Sequence, residues 1–149
     1  MANTRHANKF QHERHQARKL ALQILCQADV QGDDFLVELW PLFLAQVDTD
    51  NTVRQAADDM ARQAWDYHGV ADEQISRLTP QWSLSRLAVV DRNVLRLALW
   101  ELAHQSDVPP KVVLNEAIEL AREFSTEEST RFVNGVLDAA LKERPPQTG

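Results

Sequence analysis

The sequence predicts an all-α protein, a compact single-domain helical bundle of about seven helices. Three observations predict it. Apolar residues recur at spacings of three and four through most of the chain, the pattern of one buried stripe along a helix. The 149 residues include only four Gly and six Pro, while Ala, Leu, Arg, Glu and Gln, which lose little freedom on a helix, are common. No extended alternation of apolar and polar residues argues for strands, and no internal repeat appears.

The elements follow in order. From Glu13 to Gln31 the stripe is Ala17, Leu20, Ala21, Ile24, Leu25 and Ala28, with Arg14 and Arg18 outside it, and Gly32 is the expected stop. A second helix is expected over Phe35 to Val47, kinked or divided by Pro41, which lacks the N–H that a continuous helix needs. Asp50 or Asn51 can cap a third helix with Val53, Ala57, Met60, Ala61 and Ala64 on its apolar face, and Gly69 is a suitable end. A short helix from Asp72 to Leu78 stops before Pro80. The stretch Val94 to Ala103 is apolar except at Arg96 and Glu101, too hydrophobic for a surface helix, so it belongs at the centre of the bundle.

Asp107 to Lys111 reads as a turn whose prolines, Pro109 and Pro110, start a helix running to Phe124. Ser125 with Glu128 three residues later reads as a capping box opening the last helix, which runs to about Glu143. Its buried stripe is Phe132, Val133, Val136, Leu137 and Ala140. Gly135 within it suggests close packing against a neighbouring helix. The expected organisation is therefore a flexible basic N-terminal arm at residues 1–12, a helical domain at 13–143 and a disordered tail at 144–149.

The net charge of −6 conceals a gradient. Residues 1–20 carry five basic residues (Arg5, Lys9, Arg14, Arg18, Lys19) against Glu13 alone, for +4, while residues 29–73 carry eleven acids against Arg54 and Arg62, for −9. Any contact with nucleic acid is therefore expected to be local. The single cysteine, Cys26, excludes an intrachain disulfide and fits a reducing compartment. With no apolar run of about 18 residues and no signal peptide, the protein is expected in the cytoplasm, away from membranes.

Catalytic and metal readings fall away in turn. His12 and His15 in His12-Glu13-Arg14-His15 stand one residue short of the zinc spacing H-E-x-x-H. Glu116, Glu119 and Glu123 form a solvated row with no base beside them. His68 and His104 sit near helix ends, where capping explains them. There is no phosphate loop and no nucleophile elbow. No enzyme activity, cofactor or metal is expected.

Binding is better supported. Arg14, Arg18 and Lys19 can pair with phosphates, and arginine can stack on bases, as proteins reading single-stranded RNA do. His15 adds charge at mildly acid pH. At the start of the last helix, the free N–H groups near Ser125, Glu128 and Ser129 suit phosphate or base oxygens, with Arg131 adding charge. Phe132 offers a stacking face but also falls on the apolar stripe, so stacking and burial both stand open for it. A solvated charged face remains the plain alternative for Arg14 and Arg18.

Five strings occur in order: ARKLALQILCQA at Ala17 to Ala28, VLRLALWEL at Val94 to Leu102, SDVP at Ser106 to Pro109, NEAIELA at Asn115 to Ala121 and FVNGVLD at Phe132 to Asp138. In these the chain resembles the NusB family of bacterial transcription antitermination factors. The resemblance implies the NusB-like helical fold and binding of single-stranded boxA-type RNA together with the ribosomal protein NusE. It also implies a place in the RNA polymerase elongation complex, suppressing premature termination chiefly on rRNA operons. By the same resemblance Cys26 and Asp91 lie on the NusE-facing side. His15 and Gln16 stand where the family commonly has arginine.

Two rivals differ in class. One is a helical scaffold with protein partners only, separable by an RNA-binding measurement. The other is an RNA-targeting domain like that of rRNA cytosine methyltransferases, for which no methyltransferase segment follows here. The sequence leaves monomer and homodimer both open.

Overall fold

The structure is a computed structural model that describes the backbone of residues 2–143 and the side chains of residues 9–143. The expected tail at 144–149 lies outside them. The described residues form seven α-helices and no strand: α1 (Ala2–Gln31), α2 (Trp40–Gln46), α3 (Asn51–Asp66), α4 (His68–Leu78), α5 (Val89–His104), α6 (Pro110–Phe124) and α7 (Glu127–Glu143). A π-helical turn spans Phe35–Leu39 and a 3-10 turn spans Leu84–Arg86. The all-α reading is correct. The chain divides into two compact units, Met1–Gln63 and Ala64–Gly149.

In the first unit α1 starts at Ala2, not at Glu13. Nothing in the sequence stops it earlier, since no Gly or Pro precedes Gly32 and a helix once nucleated gains one bond per residue added. Gly32 ends it as expected. Its φ of 70° lies in the left-handed region that glycine alone enters freely, and its N–H reaches the Ala28 carbonyl at 2.8 Å. The expected stripe is buried, but the buried face is wider than it, taking in Leu22 and Arg18. Pro41 divides the second helix, as one of the two alternatives had it. Because proline crowds the turn before it and cannot donate to it, the preceding turn widens to π geometry, and the Trp40 N–H closes on the Phe35 carbonyl.

Trp40 fixes α2 to α3. Its indole N–H donates to Asp58 at 2.8 Å, and the Arg62 guanidinium, itself 2.9 Å from Asp58, lies over the indole ring at 4.6 Å. The loop before α3 is held by Arg54, which donates to the carbonyls of Val47 (2.7 Å) and Thr49 (3.1 Å).

In the second unit α3 stops at Asp66 and α4 begins at His68, so Gly69 lies inside α4 and does not end α3. The change of direction falls at Tyr67, and His68 Nδ1 meets the Trp65 carbonyl at the end of α3 while its ring stacks on Trp65 at 4.2 Å. The end of α3 is thereby closed without glycine.

The helix α5 is central, with every residue from Asn93 to Leu102 buried, and it packs against α4, α6 and α7. Its one buried cation, Arg96, forms a two-pronged pair with Asp72 of α4 at 2.7 and 2.8 Å. It also donates to Asn93 at 3.1 Å and lies 5.9 Å from the Trp65 ring.

On α7, Val133, Val136, Leu137 and Ala140 are buried as expected. Gly135 departs from its expectation. It is exposed, and a Cβ added there would meet no atom within 4 Å, so no close helix approach requires it.

Two stability changes follow. Gly135→Ala should stabilise the protein by about 0.5–1 kcal/mol, the helix-propensity difference alone; a lower urea midpoint would show that the exposed surface hides a constraint. Asp72→Ala should destabilise it by about 3 kcal/mol, because a buried cation loses its carboxylate. A loss under 1 kcal/mol in the same urea titration would mean that Arg96 is compensated without Asp72.

Candidate nucleic-acid interface

The start of α7 is built by α5. Asp91, in the first turn of α5 and 8% exposed, receives the Ser129 hydroxyl at 2.9 Å. The Ser125 hydroxyl lies 3.2 Å from the other Asp91 oxygen and 2.8 Å from Ser129 Oγ, one proton between two acceptors. The observed cap is Thr126: its Oγ1 accepts the Ser129 N–H at 3.1 Å, the bond that an N-cap makes to the third helical residue. The expected Ser125–Glu128 capping box is therefore replaced. The reason is local: the helix begins at Glu127, Ser125 is drawn toward Asp91, and Glu128 is left exposed at the second helical position.

Against this helix start lies the loop that follows α4. Thr79 turns its hydroxyl back to the Ile75 carbonyl at 2.7 Å. The Trp82 N–H then closes on the Thr79 carbonyl at 3.0 Å, and Leu87 closes on Leu84 at 3.1 Å. The Arg92 guanidinium holds the Leu87 carbonyl at 3.3 Å. Between this loop and α7 opens a cleft of about 240 Å³ whose walls include Trp82, Arg86, Asp91, Glu128, Ser129 and Phe132. Trp82 is 53% exposed.

The candidate residues divide between the two units. In the second unit Ser125, Glu128, Ser129, Phe132 and also Asp91 are brought together around the start of α7, with Arg131 exposed beside them. Ser129 is buried and serves the internal hydrogen bonds. Phe132 is half-buried and faces the cleft, apart from the fully buried stripe.

In the first unit Arg14, His15, Lys19 and Cys26 are partly exposed along α1, whereas Arg18 is 3% exposed and so does not belong to an open basic face. Its long stem suits burial along the apolar flank that Leu22 extends. The Arg14 guanidinium lies 5.7 Å over the ring of Phe10, which is itself 57% exposed.

Sequence reasoning missed three residues: Trp82, Arg86 and Phe10. The available signal was an aromatic residue outside any apolar stripe, at Pro80-Gln81-Trp82-Ser83 and again ahead of the stripe of α1. Among the described residues no group of three or more His, Cys, Asp or Glu side chains is placed to hold a metal ion. No helix of the described residues is long and apolar enough to cross a membrane.

Comparison with known proteins bears on this arrangement. The model of the NusB family matches residues 15–142. The transcription antitermination protein NusB of Anaeromyxobacter dehalogenans is 43% identical over 136 residues, covering 89% of this chain and 93% of the relative. The crystal form of Thermotoga maritima NusB superposes with a TM-score of 0.77 at 38% identity, over 89% of this chain and 93% of that one. A structure of the antitermination factors NusB and NusE in complex with double-stranded RNA gives 0.77 at 26% identity, over 89% and 98%.

The cap assignment can be checked directly. Thr126→Ala should cost about 1 kcal/mol of stability, and Glu128→Gln less than half of that. Thermal melts in which Glu128→Gln is the more damaging change would restore the capping box.

Proposed function

The chain belongs to the NusB family, and from that premise we propose that it is a transcription antitermination factor acting on boxA-type RNA with a NusE partner. A relative of the same fold has been seen with NusE and RNA, and the family is non-enzymatic, so its activity is assembly. The observation that carries the RNA reading is the cleft at the start of α7, where half-buried Phe132 and exposed Trp82 share one wall system with exposed Arg86. Aromatic faces open to solvent next to cations suit unpaired bases, which protein surfaces hold by stacking.

Arg14, His15 and Lys19 on α1 are the proposed phosphate contacts, with Phe10 as an added stacking face. Arg18 supports that helix from its buried position. Ser125 and Ser129 shape the shelf through Asp91, while Glu128 and Arg131 stand at its rim. Cys26, at a partly exposed point of α1, is the proposed contact for NusE, and Asp91 supports the shelf from its buried position. The −9 charge of residues 29–73 suits a ribosomal protein, whose basic surface serves RNA, and steers such a partner toward the complex. The site of action is the cytoplasm, at the elongating RNA polymerase on rRNA operons.

Fluorescence anisotropy with a boxA-like strand and a scrambled control, with and without NusE, tests the reading. The boxA-like strand should bind preferentially and more tightly with NusE; equal and negligible binding throughout would leave a protein-only scaffold. Arg14→Ala with Lys19→Ala should weaken RNA binding and flatten its log–log salt slope by roughly 0.7 for each phosphate pairing removed. An unchanged slope would take α1 out of the interface.

A further inference from the structure

We propose that the cleft between the 3-10 turn and α7 is a pocket for a single unstacked RNA base, with Trp82 as its stacking wall and Arg86 holding the adjoining phosphate. The inference rests on the RNA-binding reading above and adds to it which part of the RNA enters and what receives it.

Size limits the occupant first. At about 240 Å³ the cleft is smaller than the roughly 300–1,000 Å³ typical of sites for drug-sized ligands, so it admits one ring system and neither a helix nor a run of stacked bases. Shape and chemistry limit it next. Trp82 and Phe132 contribute aromatic surface to the same cleft, and Leu87 and Ala88 add apolar lining. An exposed indole on a short hydrogen-bonded turn offers its face from a backbone already ordered, closed by Trp82 to Thr79 and Leu87 to Leu84.

Charge decides between base and phosphate. The lining carries Arg86 against two carboxylates, Asp91 and Glu128, so its interior repels an anion. Asp91 is engaged with Ser125 and Ser129, which leaves the exposed Glu128 carboxylate as the group free to meet a ligand edge. A carboxylate only accepts hydrogen bonds. It therefore meets a base through an N–H on its edge, the amino group of adenine, cytosine or guanine or the ring N–H of guanine or uracil. The phosphate remains outside, on the side of the exposed Arg86.

The test uses the full chain with NusE and a boxA-like strand, together with a set of strands each carrying one abasic nucleotide. Trp82→Ala should weaken binding about tenfold, within the range of one base-on-aromatic stack, and Trp82→Phe should retain most of the affinity. One abasic position should weaken the wild type by a similar factor while leaving Trp82→Ala unaffected. The half-exposed side chain makes loss of fold an inadequate explanation, which equal thermal melts of the variants will establish. Wild-type binding with Trp82→Ala within twofold of it overturns the pocket while leaving the RNA reading standing. Absence of wild-type binding with and without NusE overturns the RNA reading, and the pocket with it.

Discussion

The second unit depends on how a charged residue is tolerated inside its central helix. Arg96 sits in a run of buried residues on α5, where an unpaired guanidinium would cost several kcal/mol. Asp72 supplies a carboxylate in the fork geometry that arginine matches best, while Asn93 and the Trp65 ring occupy further faces of the cation. These contacts hold α4 and the end of α3 to α5 in one register, because a slip along either helix would part the charges. Apolar packing alone tolerates such slips more readily. The buried pair is thus a constraint on alignment more than a source of net stability.

That register sets the cleft. The loop after α4 carries Trp82 and Arg86, and its starting point is fixed by the helix that Asp72 pins. The opposite wall is fixed from the same central helix, since Asp91 lies upstream of Arg96 on α5 and holds Ser125 and Ser129 at the entrance to α7. Two buried charges on one helix therefore position both walls. Asp91 is partner to hydroxyls, not to a cation, and it brings negative charge to the floor of a site proposed for RNA. The consistent account is that the floor is built for shape and the cations stand at the rim, where phosphate remains hydrated and accessible.

The sequence made much of this legible where periodicity governs. The apolar stripes of α1 and α3 are buried, as is that of α7 apart from Phe132; Pro41 divides its helix, Gly32 ends α1, and the Val94–Leu102 stretch, apolar but for Arg96 and Glu101, is the buried centre. Where one residue was asked to decide a local event, competition changed the outcome. Ser125 satisfies the capping pattern, yet Asp91, distant in sequence, captures its hydroxyl, and Thr126 takes the cap. Gly69 is a plausible stop, yet His68 closes the end of α3 by itself. Arg18 reads as a solvent-facing charge, yet the face that buries Leu22 buries it as well. Trp82 was overlooked because periodic reasoning weighs residues on helices, and this one gains its meaning from a turn.

On the proposed reading the two units contribute different kinds of binding. Partly exposed cations along α1 act through phosphate, so their effect weakens as salt rises and is blind to sequence. The cleft on the second unit acts through an aromatic face and a hydrogen-bond acceptor, with one phosphate pairing at Arg86, so its effect depends less on salt than that of α1. Neither alone suffices for a regulatory RNA element. Phosphate pairing from a short basic stretch on a chain of net charge −6 is weak, and a single base pocket gives little affinity without something to hold the strand. A protein partner that adds its own contacts to the same RNA removes that deficit, since its binding turns the remaining contacts into intramolecular ones at high effective concentration. An arm poor in arginine and a pocket for one base are then compatible with selective binding, provided the partner is present.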